Sequence, residues 1–220
     1  RHRRSGIRLA LPEAEALFGR MLDGELAEDE IREVLLTLTE RGETAQEIAG
    51  AAKAMRVRML RVAAPDHAID VCGTGGDGQH SLNISTAVAI VVAACGVPVA
   101  KHGNRAASSK SGAADILQAL GVKIDLEPAV AEKMLARTGL VFLFAQTYHP
   151  AMKHVAPVRA KLGFRTIFNL LGPLCNPAGV KRQLLGVYSR DWTQRMQQAL
   201  VQLGAEHAWV VHGNDGLDEI

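Results

Sequence analysis

The sequence is short of cysteine, of net charge and of long apolar runs, and each shortage removes a class of protein. Its three cysteines, Cys72, Cys95 and Cys175, are far apart and form no C-x-x-C pair. A scattered, odd-numbered set argues against a disulfide framework or a zinc site, and for reduced thiols in a cytoplasmic setting. The formal net charge is only +2, so no broad electrostatic pull toward nucleic acid or membrane exists. The basic start, Arg1 to Arg4, reads as a solvated tail. No apolar stretch is both long enough and free of Gly, Pro or polar breaks to span a bilayer. The start also lacks the charged-then-apolar layout of a signal peptide. There is no internal repeat and no low-complexity segment. What remains is a chain of 220 residues, 48% hydrophobic and 22% charged, enough for one large globular domain or two modest ones. It begins with Arg rather than Met, and Asp218-Glu219-Ile220 follow a predicted strand with no closing helix. The expectation is a fold cut short at its C-terminal end.

Two kinds of periodicity divide the chain. From residue 11 to about 63, apolar residues recur at helical spacing: Leu17, Met21 and Leu22, then Ile31, Val34 and Leu35, then Ala45, Ile48, Ala52 and Met55. Thr44 with Glu47 forms a capping-box pattern. From Ala68 onward, β-rich apolar runs alternate with helices. Predicted strands cover Ala68–Cys72, Val97–Ala100, Leu140–Ala145, Leu184–Tyr188 and Ala208–His212. Predicted helices cover Thr86–Ala94, Ser111–Leu120, a segment from Pro128 to Gly139, Pro150–Leu162 and Thr193–Leu203. Such alternation predicts an α/β domain with a mostly parallel sheet. The expected organisation is a small helical domain over 1–65, joined by helices from about 150–180, and a larger, incomplete α/β domain over 66–220.

Five segments carry polar chemistry. Gly73-Thr74-Gly75-Gly76-Asp77-Gly78 follows a strand and matches G-x-G-x-x-G. A dinucleotide fold wants a helix directly after the glycines and an acid roughly 20 residues on. Here Gln79–Asn83 delays the helix, and no acid lies between Asp77 and Asp115. The remaining reading is a loop whose backbone amides approach an anion, because glycine removes the Cβ obstacle; a plain turn is the alternative. Asn83-Ile84-Ser85-Thr86 precedes an apolar helix. Ser85 or Thr86 would be its N-cap, and the same geometry can hold a phosphate or offer hydroxyls to magnesium. Lys101 to Gly112 begins just past a strand end and packs three cations, two glycines and three serines into twelve positions, which suits a diphosphate; a solvated loop is the alternative. Arg159 stands on a helix before Arg165 to Asn169 and Leu171 to Pro177, where it could pair with a carboxylate or simply face solvent. Asp218-Glu219, after a Gly-rich turn, suit magnesium on a substrate phosphate. On spacing alone an ordinary exposed acidic pair is the better reading.

At these residues the sequence resembles the anthranilate phosphoribosyltransferases of the nucleoside phosphorylase and phosphoribosyltransferase superfamily. GTGGDG at 73–78, NIST at 83–86, KHGNR at 101–105, SSKSG at 108–112, RTIFNLLGPLCNP at 165–177 and DE at 218–219 match in order and at compatible spacing. KHGNR and the RTIFN to NP run are the specific part. The resemblance implies that Gly73, Gly76, Asp77, Ser81, Asn83, Ile84, Ser85 and Thr86 form a phosphoribosyl pyrophosphate site. It implies that Lys101, His102, Gly103, Asn104, Arg105, Ala106, Ala107, Ser108 and Ser109 cover it. Gly73, Asn104 and Arg159 would touch anthranilate, and Ser85, Asp218 and Glu219 would hold magnesium. Ala113 stands where family members commonly carry Ser, so only a backbone contact is left there. The resemblance further implies a homodimer and a helical domain beside an α/β domain.

The chemistry implied is transfer of the phosphoribosyl group to anthranilate, giving N-(5-phosphoribosyl)anthranilate and pyrophosphate on the route to tryptophan. Magnesium and the cations near Lys101 would stabilise the departing pyrophosphate. The amine nucleophile belongs to the substrate, so much of the rate would come from positioning. His102 is the one weak candidate for a general base. Two rivals are a pyrimidine nucleoside phosphorylase and a non-catalytic relative that binds nucleic acid. KHGNR and the Arg159 region oppose the first. The small net charge and Asp218-Glu219 oppose the second, leaving no nucleic acid or membrane among the expected partners.

Overall fold

The computed structural model describes residues 8–76, 83–105 and 112–219. Its first part is helical: α1 (Leu11–Leu22), α2 (Glu28–Arg41) and α3 (Ala45–Arg58). The starts of these helices are written locally. Glu13 reaches back to the Ala10 amide, Glu30 to that of Ala27 (2.8 Å each). Thr44 and Glu47 complete the predicted box, at 3.2 and 2.9 Å, which satisfies amides that the first helical turn leaves unpaired. Burial would push the Glu47 carboxyl up, but bonds from Arg41 and the Leu9 and Thr44 amides outweigh it and hold Glu47 below the usual carboxylate range.

The rest alternates: β1 (Ile69–Gly73), α4 (Ile84–Ala94), β2 (Val99–Gly103), α5 (Ala113–Ala119), α6 (Pro128–Thr138), β3 (Leu140–Phe144), α7 (Ala145–Tyr148), α8 (Ala156–Leu162), α9 (Phe168–Leu171), β4 (Arg182–Gly186), α10 (Thr193–Gln202) and β5 (His207–Val211). The strands form one parallel sheet in the order β3-β2-β1-β4-β5. The chain enters at the centre, winds outward through β2 and β3, then returns to the other side of β1. The winding reverses between β1 and β4, and open α/β sheets bind ligands at the carboxyl ends of strands at such a reversal. The middle of β3 is buried throughout, as a strand covered on both faces requires.

One apolar cluster joins Phe18, Leu35 and Ile48 of the helical part to Val155, Val158, Phe168 and Leu171, and runs on to Leu185 and Met196. Phe18 meets Phe168 edge to face at 5.7 Å. Smaller clusters lie between β3 and α6 and around Phe142 and Phe144. Three expectations need correction. The helix expected over Pro150–Leu162 is a 3-10 turn (Pro150–His154) followed by α8, because Pro157 has no N–H to continue the earlier turn. Asn83, not Ser85 or Thr86, occupies the N-cap of α4. Lys101 and His102 lie within β2 rather than beyond it.

The tightest helix contact is at Gly50, where an added Cβ would lie 2.5 Å from the Leu11 carbonyl and 2.8 Å from the Glu15 amide. Those neighbours are backbone and cannot turn aside. Gly50→Val should therefore cost about 1–3 kcal/mol by forcing α1 and α3 apart, read as a lower urea midpoint. An unchanged midpoint would mean the two helices do not pack this closely.

Candidate functional site

The glycines at the end of β1 permit a close approach that no other residue would. Gly75 N donates to Asp218 Oδ2 at 3.0 Å. A side chain at Gly73 or at Gly186 on β4 would collide with Asp218. Thr74 ties the same turn to β4, its amide bonding the Gly186 carbonyl at 2.9 Å and its hydroxyl accepting from Tyr188 N at 3.0 Å. Gly75 and Gly76 have positive φ, a backbone shape that glycine adopts at little cost. The two acids at the far end of the chain are therefore folded back onto the glycine turn: Asp218 touches it, and the charge of Glu219 reaches Cys72 and Lys101.

Beside this turn stands the N-terminus of α4. Ser85 is half-buried, and its hydroxyl accepts from Lys101 Nζ at 3.1 Å. Thr86 Oγ1 is buried with no hydrogen-bond partner among the described residues. Lys101, only 3% exposed, also donates to the Val71 carbonyl at 2.6 Å. Burial pushes Lys101 down from the usual ammonium range, and the charges of Asp70 and Glu219 oppose that. Asp70 is wholly buried. Burial raises its pKa, and Lys101, Asn176 and the His102 amide pull it back.

His102 is placed differently from the role expected of it. Its Nδ1 donates to the Gly172 carbonyl at 2.9 Å, which leaves Nε2 to accept from His149 Nε2 at 3.2 Å. Burial, followed by the neighbouring His149, pushes His102 down to about 3, and burial takes His149 to about 4. With both nitrogens engaged and so low a pKa, the His102 ring is a poor general base near neutrality.

Beyond β2, Gly103 packs under the Phe142 ring and against Ala113 Cβ. Asn104 is exposed, and its carbonyl accepts from the Ala114 amide. Arg105 turns away to Asp115 (3.0 Å) and lies 5.5 Å over the Phe144 ring. Arg159, half-buried on α8, lies 5.4 Å over Phe168, and burial lowers its guanidinium pKa. Thus Gly73, Ser85, Lys101, Asp218 and Glu219 are brought together through bonds or charge, whereas Arg159 rests on the helical core. Asp77, Ser81, Ala106, Ala107, Ser108 and Ser109 lie outside the described residues.

Sequence reasoning missed several groups here. Asp70 was signalled only as a lone carboxylate in an otherwise apolar strand, a place where a charge demands a partner. His149 and the stack of Arg165 on Tyr188 at 4.2 Å had no local signal. Magnesium fits the donors at hand. Ser85, Asp218 and Glu219 offer hard oxygens, and the Thr86 hydroxyl, with no partner among the described residues, lies next to Ser85 in the chain. Among the described residues no three His, Cys, Asp or Glu converge as a ready metal cage, in keeping with an ion that takes one or two carboxylates plus substrate phosphates.

Comparison with known proteins gives a consistent picture. The family model for the glycosyl transferase family, a/b domain, matches residues 65–220, and that for its helical bundle domain matches residues 1–59. Anthranilate phosphoribosyltransferase of Rhodopseudomonas palustris (strain BisA53) is 58% identical over 216 residues, 98% of this chain and 64% of that protein. The protein of the same name from Erythrobacter litoralis is 59% identical over 94% of this chain and 63% of its own length. The chain thus spans just under two thirds of these relatives. The crystal structure of anthranilate phosphoribosyltransferase from Thermus thermophilus superposes with a TM-score of 0.93 at 47% identity, covering 97% of this chain and 65% of that one. The Saccharomyces cerevisiae enzyme in complex with PRPP and Mg superposes with a TM-score of 0.87 at 33% identity, over 96% of this chain and 63% of that one.

The histidine pair makes stability depend on pH. Folded-state pKa values of about 3 and about 4 lie below the ordinary 6.5, so the unfolded chain binds more protons between those limits. Stability is full above pH ~6.5 and falls with acidification by up to ~1.4 kcal/mol per pH unit for each ring. Urea unfolding from pH 7 to 4.5 should follow that slope, and His149→Gln should flatten it. A flat wild-type profile would mean the rings are already protonated in the fold.

Proposed function

We propose, from the premise that this chain belongs to the glycosyl transferase family of a helical bundle domain and an a/b domain, that it serves anthranilate phosphoribosyl transfer. The substrates would be 5-phosphoribosyl 1-pyrophosphate and anthranilate, the products N-(5-phosphoribosyl)anthranilate and pyrophosphate, on the way to tryptophan. The observation that carries the reading is the convergence at one sheet reversal of a glycine turn, a helix N-terminus whose Thr86 hydroxyl has no partner among the described residues, the buried Lys101 ammonium and the Asp218-Glu219 pair. Backbone amides, a helix dipole and a cation gathered in one place suit a polyanion.

In this reading the glycine turn and the start of α4 hold the phosphoribosyl pyrophosphate, with Gly73, Gly76, Asp77, Ser81 and Asn83 to Thr86 against it. The resemblance assigns Lys101 to Ser109 to the same ligand, Lys101 and His102 from within β2, and leaves Ala113 a backbone contact only. Magnesium, held by Ser85, Asp218 and Glu219, would neutralise diphosphate charge. As the C1–O bond breaks, its electron pair leaves with pyrophosphate and C1 gains oxocarbenium character; the buried ammonium of Lys101 favours that leaving group. The anthranilate amine then forms the C1–N bond from the opposite face and sheds one N–H proton to the departing pyrophosphate or to water. Arg159 and Asn104, with Gly73, orient anthranilate by its carboxylate, so positioning supplies much of the rate. His102 contributes backbone and packing rather than proton transfer. A homodimer and a cytoplasmic setting accompany the reading by resemblance, and sedimentation would test the former.

Anthranilate fluorescence should fall when phosphoribosyl pyrophosphate and magnesium are added, and a chelator should stop it. Lys101→Gln should slow turnover about a hundredfold, the scale of losing one charge-stabilising donor. Arg159→Ala should raise the anthranilate KM at least about tenfold with a smaller effect on the other substrate. An unchanged anthranilate KM would remove Arg159 from the substrate's carboxylate. Phosphate-dependent cleavage of a pyrimidine nucleoside, with no fluorescence loss, would instead favour the phosphorylase rival.

A further inference from the structure

Strands β1 and β2 are neighbours, yet they barely pair. Their register is a single couple, Ile69 with Val99, whereas β1–β4, β2–β3 and β4–β5 each keep five. Ile69 N bonds the Pro98 carbonyl at 3.0 Å. Continuing that parallel ladder would set the Ala100 carbonyl and the His102 amide against Val71. Three of the four backbone groups of that stretch, all but the Val71 amide, are diverted to side chains. Ala100 O accepts from Asn176 Nδ2 at 2.8 Å, His102 N donates to Asp70 Oδ1 at 3.1 Å, and Val71 O accepts from Lys101 Nζ at 2.6 Å. Asn176 Nδ2 also donates to Asp70 Oδ2 at 2.7 Å, and Asn176 Oδ1 accepts from Ala178 N at 2.8 Å. Asp70, Lys101 and Asn176 are all buried.

We propose that Asp70 and Asn176 are a positioning pair for the diphosphate site: they bridge β1 and β2 in place of the ladder and so leave the Val71 carbonyl to hold the Lys101 ammonium beside the start of α4. The inference deepens the function proposed above and rests on it for the ligand. The physical reason is geometric. A regular ladder would give the Val71 carbonyl to the His102 amide rather than to the ammonium. A plain gap would strand three buried backbone groups, which costs far more than it gains. Asn176 can close the gap because its amide carries two donors and an acceptor, and all are used. Asp70 closes it because a carboxylate accepts from the strand and the amide at once while balancing the nearby cation. Neither residue touches the substrate in this arrangement. Each acts through Lys101 and through the backbone of His102, from which the KHGNR segment departs.

The test is a double-mutant cycle on the intact chain, with calorimetric binding of magnesium phosphoribosyl pyrophosphate as readout. Asp70→Asn should weaken binding about tenfold, within the range of coupling between residues of one hydrogen-bond network. In a Lys101→Gln background the same change should cost less than about twofold, because the residue it acts through is gone. Unchanged affinity, or an equal loss in both backgrounds, overturns the proposal. Should Asp70→Asn not fold, Asn176→Ser keeps the charge and removes the bridge; it should weaken binding about threefold to tenfold, and undiminished binding overturns the proposal. A second readout needs no ligand. Acetylation by N-hydroxysuccinimide acetate, followed site by site with mass spectrometry, should be slow at Lys101 and at least about tenfold faster in either variant, since access follows local opening. Equal rates overturn the proposal. If the wild-type chain binds no phosphoribosyl pyrophosphate, the assignment of function falls, and the labelling still decides whether Asp70 and Asn176 hold Lys101.

Discussion

The site depends on keeping one ammonium inside a parallel sheet. Lys101 sits on a central strand where an apolar side chain would be routine, and burial works against its charge. It is tolerated because the Val71 carbonyl and the Ser85 hydroxyl accept hydrogen bonds from it and Asp70 supplies the opposite sign. That arrangement links three elements at their functional ends: β1, β2 and α4. The glycine turn adds amides, and the acids after β5 fold back onto it. The polar groups converge because the chain leaves β1 in one direction and returns on its other side, which creates a crevice at the strand ends.

The helical part is not a bystander to this. Its core is continuous with the segment from Val155 to Cys175, which delivers the Gly172 carbonyl to His102 and, one residue beyond its end, the Asn176 amide to Asp70. The backbone of that segment is therefore set by packing against α1 and α3, while its polar groups reach under β2. Arg159 and Arg165 lean on aromatic rings of this region. A side chain held over a ring loses less freedom when it meets a ligand, which suits the orienting part proposed for Arg159.

Much of the architecture was legible from the residues alone. Helical spacing before residue 60, the β-rich runs after it, and caps such as Thr44 with Glu47 are local, so local rules find them. The motif resemblance found the acids at 218–219, which spacing alone would have left as surface charge. Other features escaped. Pro157 split a helix that periodicity had joined. Strand β2 ran three residues further than its apolar run, because Lys101 and His102 are buried by partners from elsewhere in the chain. His102 looked available for proton transfer until His149 and Gly172 were found on its two nitrogens.

The sequence by itself determined the alternation of elements, the glycines where backbone must come close, and the residue types able to hold a metal-bound sugar diphosphate. These follow from short-range sterics, hydrogen-bonding capacity and charge, all readable within a few residues. Only the tertiary structure decided which strands pair fully and which are bridged instead by the Asp70 and Asn176 side chains. It alone set whether a histidine is wet or buried, and which distant acid meets the glycine turn. Each of these depends on groups more than thirty residues apart, and desolvation and pairing at that range are fixed only when the sheet has closed around them.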